Sequence, residues 1–212
     1  MACAGASARD DQTWINFSLD YAICNGWGVH FDQELEFGNS QMLDEESVLL
    51  ATYEFCPAFS VAFGHKILRE RSDSRGPLLT EHRPTFDLCF AAPEFWTLKF
   101  DFRSRFEYRD LKRTQPYMRY RERFRLRTSW SATDFKFSPF ASMEFLFSDK
   151  PGVSDSDLLN STRSQIGVSF HPVPSNPALE FGLYFMVLHS IDNGASHWDP
   201  MNIYGFDVSY SF

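Results

Sequence analysis

Apolar and polar side chains alternate at every second position over most of the chain. In the C-terminal segment from Tyr204 to Phe212, aromatic and aliphatic residues are separated by glycine, serine and aspartate. Successive side chains of a β-strand point to opposite faces, so this segment forms a strand with one apolar and one small, polar face. The alternation recurs in segments from Trp27 onward. The sequence therefore predicts an all-β protein.

Charged residues occupy the polar faces of the two central strands. The first face carries Arg103, Arg105, Glu107 and Arg109, and the second carries Arg119, Arg121, Arg123, Arg125 and Arg127. Arginines at every second position would be spread around a helix, but they share one face of a strand. Aromatic residues such as Phe100 and Phe124 alternate with them and form the opposite face.

The lengths of these segments and of their connections favour a membrane barrel over a soluble sheet. The strands cover about 10 to 14 residues, against the usual 5 to 6 or so. Tyr120 and Trp130 are ten residues apart on one apolar face, which is about 34 Å along a strand and roughly 26 Å across a membrane at a tilt near 40°. The sequence contains no run of about 18 apolar residues, which excludes a transmembrane helix. Long connections (38–46, 69–80, 110–115, 148–160 and 190–201) alternate with tight ones (25–26, 56–58, 92–94, 131–134 and 172–177).

These features predict a transmembrane antiparallel up-and-down β-barrel of about 10 strands, within a range of 10 to 12. Ten strands can be counted from Trp27 onward, and Thr13 to Ile23 alternates as an eleventh. Bacterial barrels nearly always have an even number of strands. Either this segment is an incomplete or unusual closing strand, or another strand has been split or missed. We expect residues 12–212 to form one barrel domain and residues 1–11 to be a signal-peptide remnant or a disordered N-terminus.

A series of aromatic and charged positions runs through nearly the whole chain in a characteristic order. It comprises Trp14, Glu81-His82-Arg83, the two arginine-rich strands, Glu144, the segment from Arg163 to Gly167 and the aromatic C-terminus. In this order the chain resembles the bacterial family of predicted outer-membrane barrels known as domain of unknown function 2490. The resemblance implies a barrel in the bacterial outer membrane, and it implies no activity, substrate or catalytic residue.

If the apolar faces meet lipid, the charged faces meet inside the barrel. Besides the residues of the two central strands, the predicted interior network includes Asp32, Glu34, Glu36, Glu54, Glu144 and Glu180. In one interpretation these charges neutralise one another, because side chains nearly fill a barrel of about ten strands and an unpaired buried charge is costly. In the other, the arginines line a pore that attracts anions. Glu122 is an exception on the apolar face, which a bulge or a position near the rim would relieve.

Composition excludes several other classes. The net charge of −8 and pI near 5.2 argue against nucleic acid as a partner. The four cysteines have no C-x-x-C spacing and the histidines form no H-E-x-x-H motif, so no metal or cofactor is predicted. A disulfide between Cys24 and Cys56 is conceivable, although unrelated cysteines are the simpler interpretation.

The expected function is that of a non-enzymatic outer-membrane barrel, either structural or a narrow channel for small solutes. Its expected partners are outer-membrane lipid and, through the strand Tyr204 to Phe212, the barrel-assembly machinery. An alternative is an enzyme that modifies lipid or lipopolysaccharide through His189 and Ser190, a pair that lacks an evident orienting carboxylate. A weaker alternative is a soluble lipocalin-like carrier.

Overall fold

The computed structural model describes residues 11–38, 41–71, 78–110, 115–132, 135–149, 158–172, 176, 178–191 and 198–212. The predicted N-terminal segment 1–11 lies outside these ranges except for its last residue. Within them, no helix has the length and apolar character needed to cross a membrane. The strands are β1 (Gln12–Cys24), β2 (Trp27–Gly38), β3 (Gln41–Cys56), β4 (Phe59–Arg71), β5 (Leu78–Ala91), β6 (Leu98–Arg109), β7 (Tyr117–Thr128), β8 (Trp130–Ala132), β9 (Phe135–Ser148), β10 (Leu159–Phe170), β11 (Leu179–Ser190) and β12 (Asp199–Ser211).

Eleven of these strands form one closed ring, which confirms the prediction of an all-β barrel. The short strand β8 pairs only with β9 and lies outside the ring. The closing pair of the ring, β1 and β12, is parallel from Gln12–Ile203 to Asp20–Ser211, whereas all its other neighbouring strands are antiparallel. With an odd number of strands, the first and last run in the same direction, so the closing pair has to be parallel. The segment from Thr13 to Ile23 is thus the closing strand.

Some strand boundaries predicted from the sequence agree with the structure and others do not. Asn25 and Gly26 both have positive φ, 50° and 82°, which suits the two-residue hairpin between β1 and β2. The predicted connection 38–46 is wrong, because β3 already begins at Gln41. Trp130 belongs to β8 rather than β7, so its spacing from Tyr120 does not measure a single strand.

The exposure of side chains is inverted relative to a soluble protein. Large apolar residues on the outer face are exposed, among them Phe63, Phe86, Phe100, Phe124, Leu126 and Ile166. Lys66 and Glu107, on the inner face, have no exposed surface at all. The barrel interior, called the lumen below, therefore holds the buried charges.

Two apolar clusters also lie inside the ring. Trp14, Met186, Met201 and Ile203 form one, and Val48, Leu50 and Ala62 form the other. Next to the first cluster, Tyr184 lies across Gly205, where a Cβ atom would be only 1.8 Å from the tyrosine Cζ. Only glycine allows this ring to lie flat against the neighbouring strand. The three cysteines in the described ranges, Cys24, Cys56 and Cys89, are free, so Cys24 and Cys56 form no disulfide.

Candidate lumen site

Glu107 is the centre of a buried ion network. It projects inward from β6, and its carboxylate pairs with Arg119 of β7. The same carboxylate lies 3.1 Å from Lys66 Nζ and 3.4 Å from Arg121 Nη1. Glu46 in turn lies 2.5 Å from Lys66 Nζ. The network thus joins β3, β4, β6 and β7 across the inner face of the barrel.

Glu144 of β9 extends the network along the ring. Arg121 donates to it over 2.8 Å and Arg103 over 3.1 Å. Arg163 Nη1 is 3.7 Å away, and its guanidinium also lies 4.9 Å from the ring centre of Trp14. A buried carboxylate surrounded by several guanidiniums is compensated far better than one paired singly.

Three further carboxylates each bind arginines nearby. Arg105 donates from two nitrogens to Asp87, each over 2.7 Å. Arg109 makes the same bidentate contact with Glu81 over 2.6 Å, and Arg83 also donates to Glu81 over 2.6 Å. Near the tight turns, Asp101 accepts from Arg127 over 2.9 Å and lies 3.5 Å from Arg125 Nε.

A cavity of about 510 Å³ occupies the lumen between this network and the tight turns. Trp14, Met186, Glu46, Arg121 and Glu144 line its deep end. At the end of the tight turns, called the turn end below, the lining includes residues close to strand termini, namely Asp20, Arg127, His171, Ala178 and Ser211. Its volume lies within the range of about 300–1,000 Å³ of small-molecule sites, but its lining is mostly polar rather than apolar.

Five carboxylates line the side of the cavity formed by β11, β12, β1 and β2. They are Glu180, Asp207, Asp20, Asp32 and Glu34. Asp32 accepts a hydrogen bond from Ser18 over 2.9 Å, Asp20 lies 2.8 Å from His30 Nδ1, and Glu180 lies 3.6 Å from His171 Nε2. Among the described residues, none of the five forms an ion pair with a lysine or arginine.

Comparison with known proteins bears on the family and on the fold. A family model described as "Protein of unknown function (DUF2490)" matches residues 11–197. The chain belongs to the DUF2490 family. A solved structure of the NanC porin, in a rhombohedral crystal form, aligns with 97% of this chain and 100% of its own at 15% identity, with a TM-score of 0.55. At that identity the likeness extends to the fold alone. No curated protein matches the sequence.

The DUF2490 barrel places the sequence-predicted charges on its inner face. The arginines from Arg103 to Arg127 lie around the network and the cavity, and Asp32, Glu34, Glu144 and Glu180 line the cavity. Glu36 lies on the inner face of β2 but does not line this cavity. Glu54, near the end of β3, lines a smaller cavity of about 230 Å³.

Several charged residues of the site were missing from the sequence prediction. They are Asp20, Glu46, Lys66, Glu81, Arg83, Asp87, Asp101, Arg163 and Asp207. Asp87 could have been found, because Phe86, Leu88 and Phe90 alternate with it. Glu46 lies in the segment predicted to be a connection, and its charged neighbours Asp44 and Glu45 conceal the strand pattern.

Neither of the two explanations expected for Glu122, a bulge or a position near the rim, applies in the structure. The pairing of β7 with β6 and β9 shows no register shift around it, and it lies in the middle of its strand. Instead, Ser104 on the neighbouring strand donates a hydrogen bond to its Oε1 over 2.8 Å. Its Oε2 is buried and has no hydrogen-bond partner among the described residues.

His189 and Ser190 cannot act together in the DUF2490 barrel. They are adjacent in β11, so their side chains point to opposite faces. The register places His189 opposite Thr162 and Pro200 on the outer face, whereas Ser190 is on the inner face. The geometry removes the one pair that favoured a lipid-modifying enzyme.

Proposed function

We propose that this DUF2490 barrel lies in the bacterial outer membrane and serves as a narrow channel for small solutes. The cavity of about 510 Å³ lined by charged residues inside a closed barrel carries the proposal.

The outer face supports the membrane location. The ring strands have 12 to 16 residues each, and 12 residues tilted by about 40° span about 30 Å along the barrel axis. This covers the apolar band of about 25 Å in outer-membrane barrels. Exposed phenylalanines such as Phe63 and Phe100 would be costly in water, but they are favourable against hydrocarbon.

The size of the ring supports a narrow channel. Side chains fill barrels of about eight strands, whereas barrels of sixteen to eighteen leave an aqueous channel. Eleven strands lie between these limits, and here the ion network fills part of the lumen while the cavity remains open beside it. A solute would therefore pass beside the network and along charged walls.

Planar-bilayer recordings of the refolded protein test the channel directly. We expect stepwise conductance, and we expect Trp14→Ala to raise it because this tryptophan lines the deep end of the cavity. Trp130→Ala is the matched control, since its side chain is 65% exposed and does not line the cavity. Absence of any conductance from folded protein would leave the second candidate, a structural barrel, which the extensive ion pairing of the lumen favours.

We also propose that the C-terminal strand, Tyr204 to Phe212, is the segment that the assembly machinery recognises. In the closed barrel both of its edges are paired, with β11 and with β1. Recognition would therefore precede closure. Phe212 remains 66% exposed at the turn end, and its deletion should reduce the folded fraction in cells while leaving refolding from urea into detergent unchanged.

A further inference from the structure

The cavity has two walls of opposite charge. The arginine wall consists of the six arginines of β6 and β7 that line the cavity, namely Arg103, Arg105, Arg121, Arg123, Arg125 and Arg127. The acidic wall consists of Asp20, Asp32, Glu34, Glu180 and Asp207, the five carboxylates described above. In the ring of eleven strands, β6 and β7 lie diametrically opposite β1 and its neighbours. The two walls therefore face each other across the lumen.

Each wall keeps charge that its own neighbours do not neutralise. The six guanidiniums of the arginine wall share four carboxylates, those of Asp87, Asp101, Glu107 and Glu144, and Lys66, Arg119 and Arg163 compete for two of these. Arg123 forms no ion pair or hydrogen bond with any described residue and is attracted by Glu144 only over a longer distance. Arg103 Nε is buried with no hydrogen-bond partner among the described residues. No carboxylate of the acidic wall forms an ion pair or hydrogen bond with an arginine or lysine within the described ranges, although Arg163 and Lys66 attract Glu34 over longer distances.

No ion pair or hydrogen bond joins the arginine wall to the acidic wall among the described residues, although Arg125 attracts Asp207 over a longer distance. Eleven strands about 4.8 Å apart and tilted by about 40° give a backbone diameter of about 22 Å. Allowing about 7 Å for an arginine side chain and about 3 Å for an aspartate leaves a gap of about 12 Å between the charged groups. Because an unpaired charge in a confined lumen is costly, a ligand that offers both signs is favoured.

We infer that the solute of this channel is a dipolar ion of about dipeptide size, held with its carboxylate on the arginine wall and its ammonium group on the acidic wall. An extended dipeptide spans about 7 Å, and a charge-assisted hydrogen bond of about 2.8 Å at each end bridges the gap of about 12 Å. The inference rests on the proposed channel function, since it names the class of solute for the same cavity.

Three related probes separate the contributions of the two walls. Alanyl-alanine carries both charges, its N-acetyl derivative carries only the carboxylate, and its C-terminal amide carries only the ammonium group. Binding to the refolded wild-type protein in detergent can be measured by saturation-transfer NMR at low salt. We expect alanyl-alanine to bind at least tenfold more tightly than either derivative, because each derivative loses one charge-assisted contact.

Two variants assign the charges to their walls. Arg123→Gln should abolish the preference for alanyl-alanine over its amide, and Asp207→Asn should abolish the preference over the N-acetyl derivative. Neither residue forms an ion pair among the described residues, so both variants should fold, which heat-modifiable gel migration checks. Equal binding of alanyl-alanine and its N-acetyl derivative would overturn the inference in favour of an anion site. The absence of binding by all three probes would overturn it outright.

Conductance of the same preparations separates this inference from the proposed function. A conducting wild-type protein that does not discriminate among the probes contradicts the dipolar solute and leaves the channel standing. A protein that discriminates among them but does not conduct contradicts the channel, and the ligand class then describes a binding cavity.

Discussion

Removal of the Glu107 carboxylate is the sharpest test of the buried network. In Glu107→Gln the side chain keeps its size and loses its charge at a position with no exposed surface. Lys66 retains Glu46, and Arg121 retains Glu144. Arg119, by contrast, loses its one ion pair among the described residues.

The expected loss of stability follows from this count of remaining partners. Removing one partner of a buried ion pair costs about 3–5 kcal/mol, because an uncompensated charge stays buried. Only Arg119 is left without a partner, so we expect the lower end, about 3 kcal/mol. Glu45→Gln is the matched control, because its partner Arg69 is 54% exposed and the pair lies at the surface. Exposed pairs contribute at most about 1 kcal/mol.

Equilibrium unfolding in urea, with the protein in lipid vesicles, measures the free energy of unfolding of both variants. The protein has five tryptophans, whose fluorescence reports the transition. A clear difference between the free energies of unfolding of the two variants is expected. Equal, small losses for Glu107→Gln and Glu45→Gln would refute the reasoning, since they would show that water reaches the network and screens its charges.

Three other sets of substitutions test the outer face, the lumen packing and the closure of the ring. Glu122→Leu should raise the free energy of unfolding in vesicles by about 1–3 kcal/mol, because a carboxylate is removed from the lipid-facing surface; a loss of stability would argue against lipid contact there. Gly205→Ala should lower it by about 1–3 kcal/mol through overlap with the tyrosine ring, and Tyr184→Ala in the same chain should restore part of the loss; no rescue would contradict the packing. Cysteines at Ile15 and Phe206, which are paired in register, should form a disulfide on oxidation in a background without the native cysteines; if they do not, the parallel closure is wrong.

Most of the fold could be predicted because strand alternation is a local property. The period of two is visible in each segment separately, and Asn25-Gly26 marks its hairpin without any long-range information. The parallel closure could not be read from β1 alone, because it depends on the parity of all the strands in the ring. The start of β3 at Gln41 was missed because a run of acidic residues resembles a polar connection when the lumen it faces is not known.

The candidate site was less accessible to sequence reasoning for a related reason. Alternation places Glu107 on the inner face, but its partners depend on register and on curvature. Lys66 lies on β4, two strands away from Glu107 on β6, and the two meet only because the wall curves. The separation into two charged walls likewise depends on which strands face each other across the ring. No single strand contains that information.

The membrane orientation of the barrel is tested most directly with two nitroxide labels at the same height. Leu126 is on the outer face of β7, and Ser142 lines the cavity on β9 opposite the adjacent Arg125. In protein reconstituted into vesicles, with the four native cysteines replaced by serine, each position is changed to cysteine and labelled. Oxygen dissolved in the bilayer should relax the label at Leu126, and a water-soluble nickel complex should relax the label at Ser142. The reverse pattern, or equal access of the nickel complex to both labels, would contradict an apolar exterior in lipid around a charged lumen.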